Sequence, residues 1–398
     1  MKLVIYAKRL YTSIGNTPKR GHQMSQLEKL ENIFICVEDG KIVEFLNHKP
    51  RSADFLLEGD LVVPGFVDCH THIPFYSYRE QDFLRRVSGL SYSRIHNSGG
   101  GIYESVSKLR GATFKELVRF NLNLTKIFLK KGVTTIECKT GYGLDEENEL
   151  KQFRVIEILK KISPIDVIPT FMGAHAIPKG FNQQDYIDYL IKTLDLVKDK
   201  CDFVDIFCDT GAFDIYNTQR YLEAAREKGF KLRIHANELS NIGAVKIAVQ
   251  MNAISADHLL KIDDKDIEFL SQSGTTAVLM PTTSFYLNET YAPARKLIDN
   301  GAAIALGSDF NPGSSPVIEP SLVMNLAVRF LGMSPQEILS AYTINSACVL
   351  GIADRLGTVE IGKEADFVIY KDADLETIMY FIGIVPKYIV KRGQIFEN

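Results

Sequence analysis

The segment Leu61–His72, LVVPGFVDCHTH, ends in two imidazoles two residues apart, His70 and His72. On an extended chain, residues two apart project to the same side. Two nitrogen donors on one face suit a divalent metal such as zinc or iron. Alone the pair is a weak signal, because two polar residues at a strand end are ordinary. Its weight depends on ligands at the ends of other strands. The run that leads into it, Leu61–Val67, is continuous and Val-rich, which predicts a single buried strand.

Seven further apolar runs have the same texture: Val133–Cys138, Ile165–Phe171, Phe203–Phe207, Lys231–His235, Ala253–Asp257, Thr275–Leu279 and Ala302–Leu306. Amphipathic stretches lie between most of them, at Phe114–Lys131, Glu146–Lys161, Gln184–Lys200, Thr218–Lys228, Asn241–Gln250 and Asp264–Ser271. Gly132, Gly229, Gly274 and Gly301 stand just ahead of a strand, where glycine permits the left-handed residue that closes a helix. Eight β/α units predict an α/β fold, a (β/α)8 barrel of the TIM type. A doubly wound sheet is the alternative, but neither GxGxxG nor GxxxxGK[ST] is present. Short alternating strands occupy both chain ends, with turns at Asp39-Gly40 and Arg392-Gly393. Neither end has enough strands to be stable alone, so the two are expected to build one small β-sandwich domain. The expected division is 1–59 and 356–398 for that domain and 60–355 for the barrel.

A barrel places its chemistry just after the strands. His70 and His72 follow strand one, Lys139 and Tyr142 strand two, and His175 strand three. His235 and Glu238 follow strand five, His258 strand six, and Asp309 and Asn311 strand eight. Five of the eight histidines thus fall at four strand ends, while His96 lies in a long insertion after strand one. One metal ion, zinc or iron, could take His70, His72, His235 and Asp309, with room for a water. A bridging lysine for a second ion is lacking after strand four, which ends Phe207-Cys208-Asp209. Lys139 is expected to support the site rather than bind metal. A metal lowers the pKa of its water toward about 7. Glu238 is the expected general acid/base, with a helix N-terminal carboxylate as the plainer alternative. His258 is expected to hold the nucleophile or polarise the substrate, or else to be a satisfied core histidine.

Bulk properties agree with a soluble enzyme. Net charge is −3 and basic residues are scattered, so nucleic acid gains no electrostatic support. The N-terminus does not resemble a signal peptide, and no apolar stretch approaches about 18 residues, so neither export nor a membrane partner is expected. The six cysteines are dispersed without CxxC, as in a cytoplasmic protein with reduced thiols.

These strand-end residues resemble those of the amidohydrolase superfamily. VPGFVDCHTH, the Gly99–Ile102 run, ECKTGYGL, FMGAHAIP, IHANELSNIGA and SDFNPGSSP together resemble the imidazolonepropionase family over nearly the whole chain. The resemblance implies hydrolysis of the cyclic amide C–N bond of 4-imidazolone-5-propanoate to N-formimidoyl-L-glutamate, in histidine degradation. It implies metal ligands at His70, His72, His235 and Asp309, and catalytic residues at Glu238 and His258. Substrate-binding residues would be Arg79, Tyr92, Tyr142, His175 and Asn311. Arg79 offers a fork for the carboxylate tail of a small-molecule substrate, though it could also pair with Glu80 or Asp82. A homodimer is usual in such families. The segment after HTH departs from the family: it reads IPFYSYRE, with Tyr76–Tyr78 where small, glycine-containing residues are usual. TGYGL likewise replaces SGYGL. The insertion Phe75–Thr113 is the expected substrate-covering loop. A heterocycle deaminase of the same superfamily is the competing activity, and a non-catalytic scaffold the competing class.

Overall fold

The computed structural model describes residues 2–88 and 100–398. Two eight-stranded sheets form its framework. The first draws on both chain ends. Lys2–Thr12 pairs antiparallel with Glu28–Glu38, which turns at Asp39-Gly40 into Lys41–Leu46. Both turn residues have positive φ, +49° and +76°, the combination that Asp-Gly favours in a tight hairpin. From the other end, Phe367–Tyr370, Tyr388–Lys391 and Gln394–Glu397 continue the sheet through an equivalent turn at Arg392-Gly393. Ile5, Ile35, Val62, Phe367 and Ile369 share one buried apolar cluster, so the two ends fold against each other.

The expected single strand Leu61–Val67 is two strands. Leu61–Pro64 lies in the end-built sheet, antiparallel to Phe367–Tyr370, and Phe66–Asp68 is the first barrel strand. The chain changes sheets at Gly65, where a Cβ would stand 2.3 Å from Thr134 Oγ1. Both halves are fully buried, so the apolar pattern carries no sign of the break.

The barrel strands are Phe66–Asp68, Val133–Lys139, Asp166–Ala174, Phe203–Cys208, Lys231–Ala236, Ser255–His258, Thr276–Leu279 and Ile304–Leu306. They are parallel and adjacent in chain order. Closure between the last and the first is made beyond the strands: Thr71 bridges Phe310, and Ser308 N donates to Asp68 Oδ1 at 3.0 Å. Helix starts are set locally. Thr113 and Asp263 make reciprocal capping boxes with Glu116 and Asp266, and Asp145, Asn182 and Asp214 each accept from a backbone N–H three residues on. The Asp214 cap starts its helix at Ile215, ahead of the expected Thr218. Asn241 instead bonds the N–H of Gly243, so the next helix begins only at Ala244. Gly132, Gly229 and Gly301 are left-handed as expected, but Gly274 is not, since its helix already ends at Ser271.

The end-built sheet is clamped to the barrel by charge. Asp166, at the start of the third barrel strand, accepts from Arg355 at 2.9 Å, from Lys391 at 3.1 Å and from Arg392. Burial alone would raise its carboxyl, but Lys391, Arg355 and Arg392 outweigh that and hold it below the ordinary value. Asp166→Ala leaves cations without their shared partner, and breaking such a partly buried set is expected to cost about 3 kcal/mol. A carboxyl depressed in the folded state stabilises at pH values above the unfolded pKa and stops doing so as pH falls through its lowered value. The gap between wild type and variant in denaturant midpoint should therefore be full at pH 7 and shrink below about pH 4. Equal midpoints at pH 7 would remove the clamp from the account.

Candidate metal and active site

The first barrel strand is short, but the chain stays extended beyond it. His72 N donates to Phe310 O at 2.9 Å, next to the Thr71–Phe310 bridge. That pairing holds His70 and His72 in strand-like register, with ring centroids 5.3 Å apart. His235, from the fifth strand, lies 4.6 Å from the His70 ring and 5.4 Å from the His72 ring. Asp309 follows the eighth strand and aims Oδ1 at His72 Nε2, 3.2 Å away, and at His70 Nε2, 3.6 Å away. Its backbone is left-handed, a conformation aspartate tolerates better than most residues. Thr283 Oγ1 donates to the other oxygen at 2.7 Å, which fixes the carboxylate plane.

The donor atoms of His70, His72 and His235 lie within 4.8 Å of one another, as do those of His70, His258 and Asp309. These atoms do not satisfy each other. His72 Nε2 and His235 Nε2 face one another at 3.4 Å, and His70 Nε2 is buried with no hydrogen-bond partner among the described residues. An unpaired buried polar atom costs about 1–3 kcal/mol. A cation among them removes that cost, and an imidazole-rich set with one carboxylate fits a divalent ion. Burial first, then nearby Lys139 and His235, hold His70 and His72 well below the usual imidazole range. Both rings are therefore neutral, the state a ligand requires.

Glu238 sits on a turn gripped by Asp209, at the end of the fourth strand. Asp209 Oδ2 accepts from the N–H groups of Glu238 and Leu239 at 2.9 and 2.8 Å, and its Oδ1 accepts from Ser240 Oγ at 2.6 Å. The next helix starts at Ala244, so Glu238 is not in its first turn and the helix-dipole alternative falls away. Burial, then repulsion from Asp309 and Asp209, push the Glu238 carboxyl well above its ordinary range. Its Oε2 lies 3.6 Å from His258 Nε2. Neither nitrogen of His258 has a hydrogen-bond partner among the described residues, and burial lowers the ring to about 3. His258 is thus not a satisfied core histidine: it faces Glu238 and the ligand cluster at once.

The expected substrate residues divide. His175 stacks on His72 with centroids 4.9 Å apart, and its Nδ1 meets Gly141 O at 3.1 Å. Tyr142 lies beside both rings, 5.3 Å from His175 and 6.3 Å from His72. Its loop is held by Glu149, which accepts from the N–H groups of Gly141, Gly143 and Leu144 at 3.1, 2.9 and 2.8 Å. Arg79 is not an exposed salt bridge: its side chain is 12% exposed, and Nε stands 3.9 Å from Asp82. The guanidinium lies on Gly313, where a Cβ would come within 1.6 Å of it, and a cavity of about 470 Å³ opens beside it, lined also by Tyr78, Tyr286 and Pro312. Asn311 lies in the loop after the eighth strand. Its amide donates to Asp309 O and Ser314 Oγ and accepts from Gly313 N and Ser314 N, so all four bonds are spent within its own loop. Asn311 thereby shapes the loop under Arg79. Tyr92, His96 and Gly99 lie outside the described residues.

The unusual Tyr76–Tyr78 segment is accommodated by packing. Tyr76 and Tyr78 both meet Phe120, with centroids 5.6 and 5.9 Å apart, and Ser77 between them takes the left-handed conformation that glycine would favour. Sequence reasoning missed Glu137, Asp205, Arg233 and Asp257, which support the site from inside the barrel. Each is a charge inside a predominantly buried barrel strand and is itself without solvent exposure, and a charge amid the apolar residues of a strand was the available signal.

Comparisons with known proteins agree with this geometry. Residues 192–395 match the amidohydrolase family. The imidazolonepropionase of Kosmotoga olearia is 44% identical, over 96% of this chain and 95% of the relative. That of Parabacteroides distasonis is 39% identical, over 99% and 98%. Among solved structures, guanine deaminase from C. acetobutylicum superposes with a TM-score of 0.74 at 15% identity, covering 100% of both chains. A zinc-bound adenosine deaminase from Xanthomonas campestris gives 0.72 at 16% identity, covering 99% of this chain and 92% of its own. Those two share the fold alone, whereas the relatedness along the whole sequence is decisive: the chain belongs to the imidazolonepropionase family of amidohydrolases.

Proposed function

We propose that the protein hydrolyses 4-imidazolone-5-propanoate to N-formimidoyl-L-glutamate in histidine degradation, with one zinc or iron ion held by His70, His72, His235 and Asp309. The observation that carries this reading is that cluster together with a largely buried arginine, Arg79, whose charge acts on His175 where it stacks on the His72 ring. A metal in such a site supplies Lewis-acid activation of water and of a carbonyl. The residues of the chain do the rest. Arg79 takes the propionate carboxylate as a bidentate fork. Tyr142 and His175 flank the imidazolone ring and orient its carbonyl toward the cluster. Glu238 accepts a proton from the attacking water and returns it to the ring nitrogen as the C–N bond breaks, a task suited to a carboxyl whose pKa is raised. His258, facing Glu238, holds the water in line. The cytoplasm is the proposed setting, which the absence of disulfides among the six cysteines supports.

A spectrophotometric assay with freshly prepared imidazolone propanoate tests the reaction directly. Turnover of guanine or adenosine without turnover of the imidazolone would replace it with the deaminase reading. Asp309→Ala and His235→Ala are each expected to lose bound metal and activity together; a variant that keeps both would remove that residue from the ligand set. Arg79→Ala should raise KM for the carboxylate-bearing substrate by about 10- to 100-fold, as loss of a charge-assisted pair worth about 1.5–3 kcal/mol requires, with metal content unchanged. Gly313→Ala, which drives a methyl into the guanidinium, should shift KM in the same direction. An unaltered KM in Arg79→Ala would exclude the carboxylate clamp.

A further inference from the structure

Beneath the ligand cluster the barrel interior holds a continuous alternation of charges. His70 Nδ1 meets Asp257 Oδ2 at 2.6 Å, and Arg233 donates to the same oxygen at 2.6 Å. The other arm of Arg233 pairs with Glu137 Oε1. Lys139 Nζ lies 2.8 Å from Glu137 Oε2 and donates to Asp205 Oδ2 at 2.7 Å. Asp205 Oδ1 then meets His235 Nδ1 at 3.1 Å. The series begins on one expected metal ligand and ends on another, and its five charged members have no solvent exposure. Strand pairing makes it possible: Glu137 and Lys139 are two apart on the second strand, and Arg233 and His235 two apart on the fifth, so each pair faces inward together.

We propose that this chain is one positioning device for the metal site, and that Glu137, which contacts neither histidine, governs how both are held. The inference rests on the metal reading given above. At each end a carboxylate accepts a hydrogen bond from Nδ1–H, which leaves Nε2 bare and turned toward the cluster. Each carboxylate is in turn fixed by a cation, and among the described residues Glu137 is what ties the two cations together. Thr170 Oγ1 also donates to Glu137 at 2.5 Å, locking its plane. With three carboxylates and two cations the chain carries one net negative charge beneath the cluster, which favours a divalent cation there. Removing the charge of Glu137 cancels that negative charge. It also frees Arg233 and Lys139 to draw Asp257 and Asp205 away from the histidines.

Two measurements test this on the full-length protein. In the metal-free wild type, 15N spectra of labelled histidine should show His70 and His235 as Nδ1–H tautomers; an Nε2–H tautomer at either position overturns the proposal. In Glu137→Gln, zinc affinity measured against a competing chelator should fall by about 10- to 100-fold, the range typical of lost outer-layer support, and both tautomers should become mixed. A residue that merely stabilises the fold would lower the denaturation midpoint and leave the zinc affinity of the folded molecules unchanged. That result in a folded Glu137→Gln overturns the proposal while leaving the metal reading intact. If Glu137→Gln does not fold, Thr170→Val is the milder break and should weaken zinc by a few-fold; unchanged affinity there counts equally against it. A wild type that takes up no zinc or iron refutes the metal reading instead, and the tautomers in that sample still decide whether the chain fixes the rings.

Discussion

Neutral imidazoles can share a cation only if each ring is held with the correct nitrogen forward, and everything at this barrel mouth depends on that constraint. An imidazole ring turns easily about its last bond and carries its single proton on either nitrogen. Here Asp257 and Asp205 settle both matters for His70 and His235 by standing behind Nδ1. Placing carboxylates in the dry interior of a barrel is expensive unless they are paired. Lys139 and Arg233 meet that requirement from the second and fifth strands, and Arg233 adds bonds to Ser255 Oγ and Cys69 O. The polar interior is therefore a consequence of the site above it.

The barrel also divides labour between its strands and its loops. Rigid strands supply the histidines and their supports, while the turns after them supply the groups that meet a substrate. Those turns are themselves fixed by buried carboxylates rather than left to packing: Asp209 holds the turn of Glu238, and Glu149 the turn of Tyr142. In both cases backbone N–H groups, unable to join a ladder, converge on one carboxylate, which satisfies the donors and sets the position of the side chain between them. The loop after the eighth strand uses the amide of Asn311 for the same purpose, and the flat surface at Gly313 then seats Arg79.

The seam where the barrel closes ties fold to site. No long ladder joins the first and last strands; closure relies on the Thr71–Phe310 bridge and on Asp68 accepting from Ser308. His70, His72 and Asp309 flank those same contacts. Cys69, just ahead of the histidine pair, donates from Sγ to Leu306 O at 3.5 Å across the seam. The alternation His-Thr-His therefore has two duties: the odd residue bridges the barrel, and the even ones face the metal position.

Periodicity and residue chemistry determined much of this from the sequence alone. The eight barrel strands, most of the helices, the sheet built from both ends and the convergence of His70, His72, His235, His258 and Asp309 all follow from local apolar runs, turn residues and strand-end positions. Those signals are short-range, and the barrel topology converts them into a site. What the tertiary structure decided is what depends on partners distant in the chain. The break at Gly65 was invisible because both halves of the run are equally buried, in different sheets. The family resemblance implies a substrate contact for Asn311, and the tertiary structure adds its four bonds within the loop that seats Arg79. The linkage of Glu137, Lys139, Asp205, Arg233 and Asp257 spans four strands. A sequence displays those charges strand by strand, without their partners; the reason for each is the next one, and only the closed barrel brings them within reach.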